Sequence, residues 1–133
     1  MKAALINSAL VGSGGFVGAL LRYGLSGLVH RQVPFTTFPY GTMAVNLVGC
    51  LLIGVFAGLA ESRQLFGPEL RTFVLIGLLG GFTTFSTLGY ETFAMIRDDE
   101  YLLATVNMGA HVVLGLALVW AGYMLTAIEV GWR

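Results

Sequence analysis

The residues best placed to do chemistry lie in one short run, Gly80-Gly81-Phe82-Thr83-Thr84-Phe85-Ser86-Thr87. Four hydroxyls fall within five residues, directly after a Gly-Gly pair that weakens a helix. On a helix, Thr84, Thr87 and Glu91 share one face by i, i+3, i+7 spacing, a polar stripe ending at a carboxylate. The hydroxyls can bond back to the preceding turn, or they can serve a solute. Further along, Asn107, His111 and Gly115 share a face at i, i+4, i+8, and His111 can be a packing partner or a ligand. Earlier, Asn46 follows Gly41-Thr42 by one turn, and its amide offers two donors and an acceptor. It can bond across to a neighbouring helix or line a pore. Arg22 can carry its charge to an interface on its long stem or draw an anion into a vestibule. A Ser86–Glu91–His111 triad fails on spacing, because positions five apart on a helix are well out of line. Cys/His metal-ligand spacing is absent, as is a Gly-rich phosphate loop followed by lysine. The sequence therefore points away from an enzyme.

These polar groups are rare islands in an apolar chain. Of 133 residues, 56% are hydrophobic and only 11% charged, against about 25% charged in an average soluble domain. Seven basic and seven acidic residues are too few to cover the surface of a small soluble fold. The net charge of zero leaves no basic surface for nucleic acid. One cysteine, Cys50, forms no internal disulfide. The charges are clustered, and the runs without charge are 3–21, 32–60, 72–90 and 101–128. A membrane-spanning helix needs about 20 mostly apolar residues. The pattern thus predicts an all-α membrane protein, a single domain over 1–133, with four transmembrane helices at about 4–29, 40–61, 70–96 and 101–128. The three prolines, Pro34, Pro39 and Pro68, fall in the connections, where proline is tolerated.

The polar run then lies near the middle of the third span, and the Gly-Gly pair predicts a helix broken there. Backbone carbonyls freed at such a break need partners, and in transporters they often hold a cation such as Na⁺. Glycine is abundant at 19 residues, and the pairs Gly14/Gly18 and Gly54/Gly58 have the small-xxx-small spacing that brings helix backbones together in lipid.

The run Gly80-Gly81-Phe82-Thr83-Thr84-Phe85-Ser86-Thr87, with Gly41-Thr42 before Val45-Asn46 and Gly15-Phe16-Val17-Gly18 before Arg22, resembles the Fluc/CrcB fluoride channel family over the whole chain. The resemblance implies a fluoride-selective channel of the inner (plasma) membrane that passively exports cytoplasmic fluoride. It also implies an antiparallel, dual-topology dimer with two pores and a structural Na⁺ at its interface. Asn46 corresponds to the family's pore asparagine and Phe85 to the first of two pore phenylalanines. Gly80 and Thr83 correspond to positions that hold Na⁺ through backbone carbonyls. Thr84, Ser86 and Thr87 stand beside the pore, Glu91 matches a vestibule glutamate, and Arg22 matches a first-helix arginine. Asn107 and His111 join them as candidate pore residues on the strength of their shared face. The chain departs from the pattern at Leu88, where the second phenylalanine is usual, and at Phe82, where leucine is common.

Two other readings compete. A small dual-topology proton-coupled drug exporter would need a membrane-embedded acid, and the first span has none. A non-transporting subunit of a larger complex would account for the glycines but not for the hydroxyls. A homodimer is the expected assembly, with a heterodimer of related chains as its rival.

Four spans place Lys2, Arg63, Arg71 and Arg133 on one side and Arg22, Arg31 and Arg97 on the other. Orientation follows Lys/Arg asymmetry, and here there is almost none. C-terminal reporter fusions are therefore expected on both sides of the membrane, and two or three lysines added at one end should lock a single orientation. Reporter signal from one side only would contradict dual insertion.

Overall fold

The computed structural model describes residues 1–34, 36–62 and 66–127. Helix α1 is Lys2–Gln32 and α2 is Tyr40–Ser62. The third span is in two pieces, α3 (68–82) and α4 (Phe85–Arg97). Helix α5 is Tyr101–Ala127. Four stretches, Lys2–Gln32, Tyr40–Glu61, Pro68–Arg97 and Tyr101–Thr126, are long and apolar enough to cross a membrane. The chain is a multi-pass membrane protein. The four spans match the charge-free runs. The first is longer than expected because Lys2 and Arg31 are absorbed into its ends, where a charged tip reaches the interface. Residue 128, the expected end of the last span, and Arg63 and Arg133 of the basic count lie outside the described residues.

The helices associate as two tight pairs, α2 with α5 and α1 with α3, joined by α1–α2 and α4–α5 contacts. Glycine sets both close approaches. A Cβ on Gly18 would collide with the Leu78 carbonyl, and one on Gly14 would lie 2.6 Å from the Phe73 oxygen. In the other pair, a Cβ on Gly54 would collide with the Val119 carbonyl of α5. Lipid offers no hydrophobic drive between helices, so van der Waals contact at such surfaces does the holding.

Two features of α3 differ from a simple broken helix. Over Thr72–Leu79 the helix is π-wound, a rare form that leaves no periodicity signature and clusters at functional sites. The Gly-Gly pair is not the break either, since Gly80–Phe82 is still helical. Its second member lies where α1 passes close by, a Cβ on Gly81 falling 2.6 Å from the Gly15 oxygen. The chain leaves the helix one step later. Thr83 (φ −81°, ψ 159°) and Thr84 (φ −149°, ψ 115°) are extended. The Thr84 hydroxyl accepts from the Thr87 N–H at 3.2 Å, capping α4, as N-terminal threonines do.

The α4–α5 connection is only three residues. Asp99 takes the left-handed conformation at φ 62°, which Asp tolerates better than most residues. The Glu100 N–H returns to the Met95 carbonyl at 2.8 Å. The Arg97 side chain bonds Asp98 at 2.9 Å and holds its carboxyl below the usual carboxylate range.

Gly18→Ala and Gly54→Ala should each prise a helix pair apart and cost at least the 1–3 kcal/mol typical of overpacking. Gly12→Ala, with nothing within 4 Å of its new methyl, should be neutral. Thermal unfolding in detergent distinguishes them, and equal midpoints for all three would refute the close-approach role.

Candidate functional site: a broken span held by an asparagine

The break is held by Asn46 of α2. Its Nδ2 donates to the Thr84 carbonyl at 3.1 Å, and its Oδ1 accepts from the Thr84 N–H at 2.9 Å. The two backbone groups fix which end of the amide is which, since only Nδ2 can meet a carbonyl and only Oδ1 an N–H. Of the two sequence readings, Asn46 thus bonds across helices, and it also faces a cleft.

This clamp has a consequence for α3. In a continuous helix the Thr84 N–H would donate to the Gly80 carbonyl and the Thr87 N–H to the Thr83 carbonyl. Here the first goes to Asn46 and the second to the Thr84 hydroxyl. Gly80 and Thr83 thereby lose their helical donors, and no other hydrogen bond to either carbonyl is present among the described residues. Gly81 and Phe82 lose theirs too, as the last carbonyls of a helix do, so the two carbonyls singled out in the sequence are two of four.

The hydroxyls divide. Thr83 bonds back to the Leu79 carbonyl at 3.0 Å. Thr84 instead meets Thr87 at 2.9 Å and Ser86 at 3.3 Å, hydroxyl to hydroxyl. The stripe continues to Glu91, whose Oε1 accepts from the Thr42 hydroxyl of α2 at 2.6 Å.

Two clefts flank the break. One, of about 400 Å³, is lined by Asn46, Gly80, Thr83, Thr84, Phe85, Leu88 and His111 among others. The other, of about 660 Å³, is lined by Arg22, His30, Thr42, Thr84 and Thr87 among others. Thr84 borders both. Phe85 is 79% exposed at the outer side of the first cleft, whereas Leu88 and Phe82 are buried. Phe82 packs near Gly49, whose added Cβ would lie 3.5 Å from the ring.

The α5 candidates behave differently from one another. Asn107 is 0% exposed, so it faces no solute; its Nδ2 donates to the Thr92 hydroxyl at 2.9 Å. His111 Nδ1 lies 2.8 Å from the Asn107 carbonyl and is therefore the protonated nitrogen, a carbonyl being an acceptor only. Gly115 is buried beside Cys50, 3.3 Å from the sulfur to an added Cβ. His111 is tied to Asn107 and Glu91 to Thr42, and no hydrogen bond joins Ser86, Glu91 and His111 among the described residues. Sequence reasoning gave Thr42 no role of its own and passed over Thr92. The available signal was that each is a hydroxyl inside an apolar span, where a polar group needs a partner.

Fold and site together define a compact multi-pass membrane protein whose third span is interrupted at a hydroxyl-rich step clamped by a neighbouring helix. The chain belongs to the CrcB family: the family described as "CrcB-like protein, Camphor Resistance (CrcB)" matches residues 9–123. Among similar proteins, the fluoride-specific ion channel FluC of Geobacter sp. (strain M21) is 46% identical over 121 residues, 91% of this chain and 94% of that protein. The channel of the same name from Chlorobaculum tepidum is 45% identical over 124 residues, 92% of this chain and 95% of that one. That of Nitratidesulfovibrio vulgaris (strain DSM 19637 / Miyazaki F) is 43% identical over 113 residues, 85% and 90% respectively. The membership expected from the motifs holds.

Asn46→Leu keeps the volume but leaves both the N–H and C=O of Thr84 unpaired, at a cost of about 1–3 kcal/mol per buried group. Its unfolding midpoint in detergent should fall well below that of wild type. A midpoint unchanged by the substitution would show that the clamp does not hold the break.

Proposed function

We propose that this chain is a fluoride-selective channel, giving cytoplasmic fluoride a passive exit and so reducing its toxicity. The observation that carries the reading is identity of 43–46% with proteins named fluoride-specific ion channels, over 85–92% of this chain. A channel makes and breaks no covalent bond, so no residue here has a catalytic role.

The chemistry of the site suits a small, strongly hydrated anion. Such an ion gives up water only for replacement donors, and it must bind weakly enough to leave. Asn46 spends one Nδ2 hydrogen on Thr84 and keeps the other for the cleft. Neutral hydroxyls at Thr84, Ser86 and Thr87 supply donors without the deep trap of a buried lysine. Phe85 turns a ring outward whose edge is positive. Arg22 borders the wider cleft, where its charge attracts anions toward Thr42, Thr84 and Thr87. Glu91 shapes that cleft through the Thr42 hydroxyl.

The working unit in this reading is two copies inserted in opposite orientations, an isologous pair. The balanced basic count and the exposed Phe85 support it, because an inverted copy needs no preferred side and would cover the ring. The carbonyls of Gly80 and Thr83, freed of their helical donors, fit a hard cation that prefers oxygen ligands. A Na⁺ bound to these carbonyls would supply a fixed positive charge. The residues at hand then orient donors toward the anion and exclude bulk water. The remaining contacts of the assembly are with membrane lipid.

Efflux of fluoride from liposomes holding only this protein tests the reading, with an ion-selective electrode as readout. Wild type should empty the vesicles, and Phe85→Ala should lower the rate at least tenfold by removing the ring edge and a wall of the cleft. Leu88→Ala should cost less, because a buried leucine contributes packing and no quadrupole. Leu88→Phe, with a cleft of about 400 Å³ beside it, should match or exceed wild type. Silent wild-type vesicles that become active when a related chain with phenylalanine at that position is added would replace the homodimer by a heterodimer. Vesicles silent in every case would refute the channel.

A further inference from the structure

The half-helix α4 carries Phe85 and Leu88, yet at its N-terminal end it is not continuous with α3. Its position is set by side-chain anchors. Asn46 grips Thr84 just before its first turn. A second anchor lies two turns on. The Thr92 hydroxyl donates to the Leu88 carbonyl at 2.8 Å and accepts from Asn107 Nδ2 of α5 at 2.9 Å. Asn107 is 0% exposed and Thr92 is buried as well. The amide is thus wholly removed from solvent and joined, through one hydroxyl, to the backbone of the residue that lines the cleft beside Phe85.

We propose that the Asn107–Thr92 pair positions the Phe85/Leu88 wall, and that fluoride conduction depends on this second anchor; the proposal rests on the channel reading above. Asn107 is then a positioning residue that acts through Thr92, in place of the pore-lining part its helix face suggested. A backbone carbonyl bonded by its own Thr hydroxyl is ordinary in a helix. The added grip of a second helix on that hydroxyl is what fixes α4 sideways against α5. The arrangement is separable from His111, which bonds the backbone carbonyl of Asn107 and not its side chain.

The chemistry provides a test that distinguishes positioning from stability alone. Removing one partner of a buried hydrogen bond leaves the other unsatisfied, whereas replacing both with apolar groups of similar shape can be nearly neutral for folding. Thr92→Val, Asn107→Leu and the double variant are reconstituted in liposomes beside wild type, and fluoride efflux is normalised to folded protein. Each single variant should lower both the yield of folded protein and the flux, the latter about tenfold. The double variant should recover the yield while its flux stays at least fivefold below wild type. Thr92→Ser, which keeps the hydroxyl, should remain within twofold of wild type. Recovery of both yield and flux in the double variant would overturn the proposal. So would a loss of flux in Thr92→Ser equal to that in Thr92→Val, and so would failure of all three apolar variants to fold, which assigns the pair to folding alone. A silent wild type would instead refute the channel reading.

Discussion

A peptide group in the middle of a bilayer has no water to turn to, and this structure is organised around a two-residue step, Thr83-Thr84, that is not helical. At Thr84 both backbone hydrogen-bonding groups point away from the helix ladder. They are satisfied by a single side chain, Asn46 of the neighbouring span. An unpaired backbone group in hydrocarbon costs several kcal/mol, so the interrupted helix and the asparagine require one another. Once Asn46 takes the Thr84 N–H, the Gly80 carbonyl is released. Once Thr84 caps α4, the Thr83 carbonyl is released too. The geometry that stabilises the break is the same geometry that leaves these oxygens without helical donors and orders three hydroxyls.

The rest of the fold makes that arrangement rigid without filling the site. Glycines on α1 and α2 let α3 and α5 approach to backbone contact, so the helix pairs hold by close van der Waals packing. The two halves of the third span go to different partners, α3 to α1 and α4 to α5. A split span with its halves bound to different neighbours leaves clefts on both sides of the split. Thr84 borders both of them.

Polar side chains in the spans fall into two groups by what they bind. Thr83, Thr92 and Asn107 make their hydrogen bonds within the protein, although Asn107 Oδ1 is buried without a partner. Asn46, Thr84, Ser86 and Thr87 bond one another or the backbone, and their bonds leave one Nδ2 hydrogen of Asn46 and one of the three hydroxyl hydrogens unspent. For a weakly held anion such a division would matter, because conduction requires binding weak enough to release.

Amino-acid sequence by itself determined the class, the spans and which span is interrupted. Charge is too costly in hydrocarbon to be scattered, so gaps between charges reveal helices before any folding is considered. The hydroxyl run after Gly-Gly marks the interrupted span for the same reason. Tertiary structure decided what each polar group does. Gly80-Gly81 reads as the break, yet the helix continues through it and Gly81 admits α1, since a glycine's use depends on which backbone passes near it. Asn107 and His111 share a helix face, yet only His111 borders the cleft, because a face is defined relative to a neighbour that the sequence does not name. The π-wound stretch over Thr72–Leu79 leaves no mark on residue spacing. Asn46 became the clamp, out of two open readings, only when α2 and the third span were brought together, because a hydrogen bond between residues 38 positions apart is a property of packing.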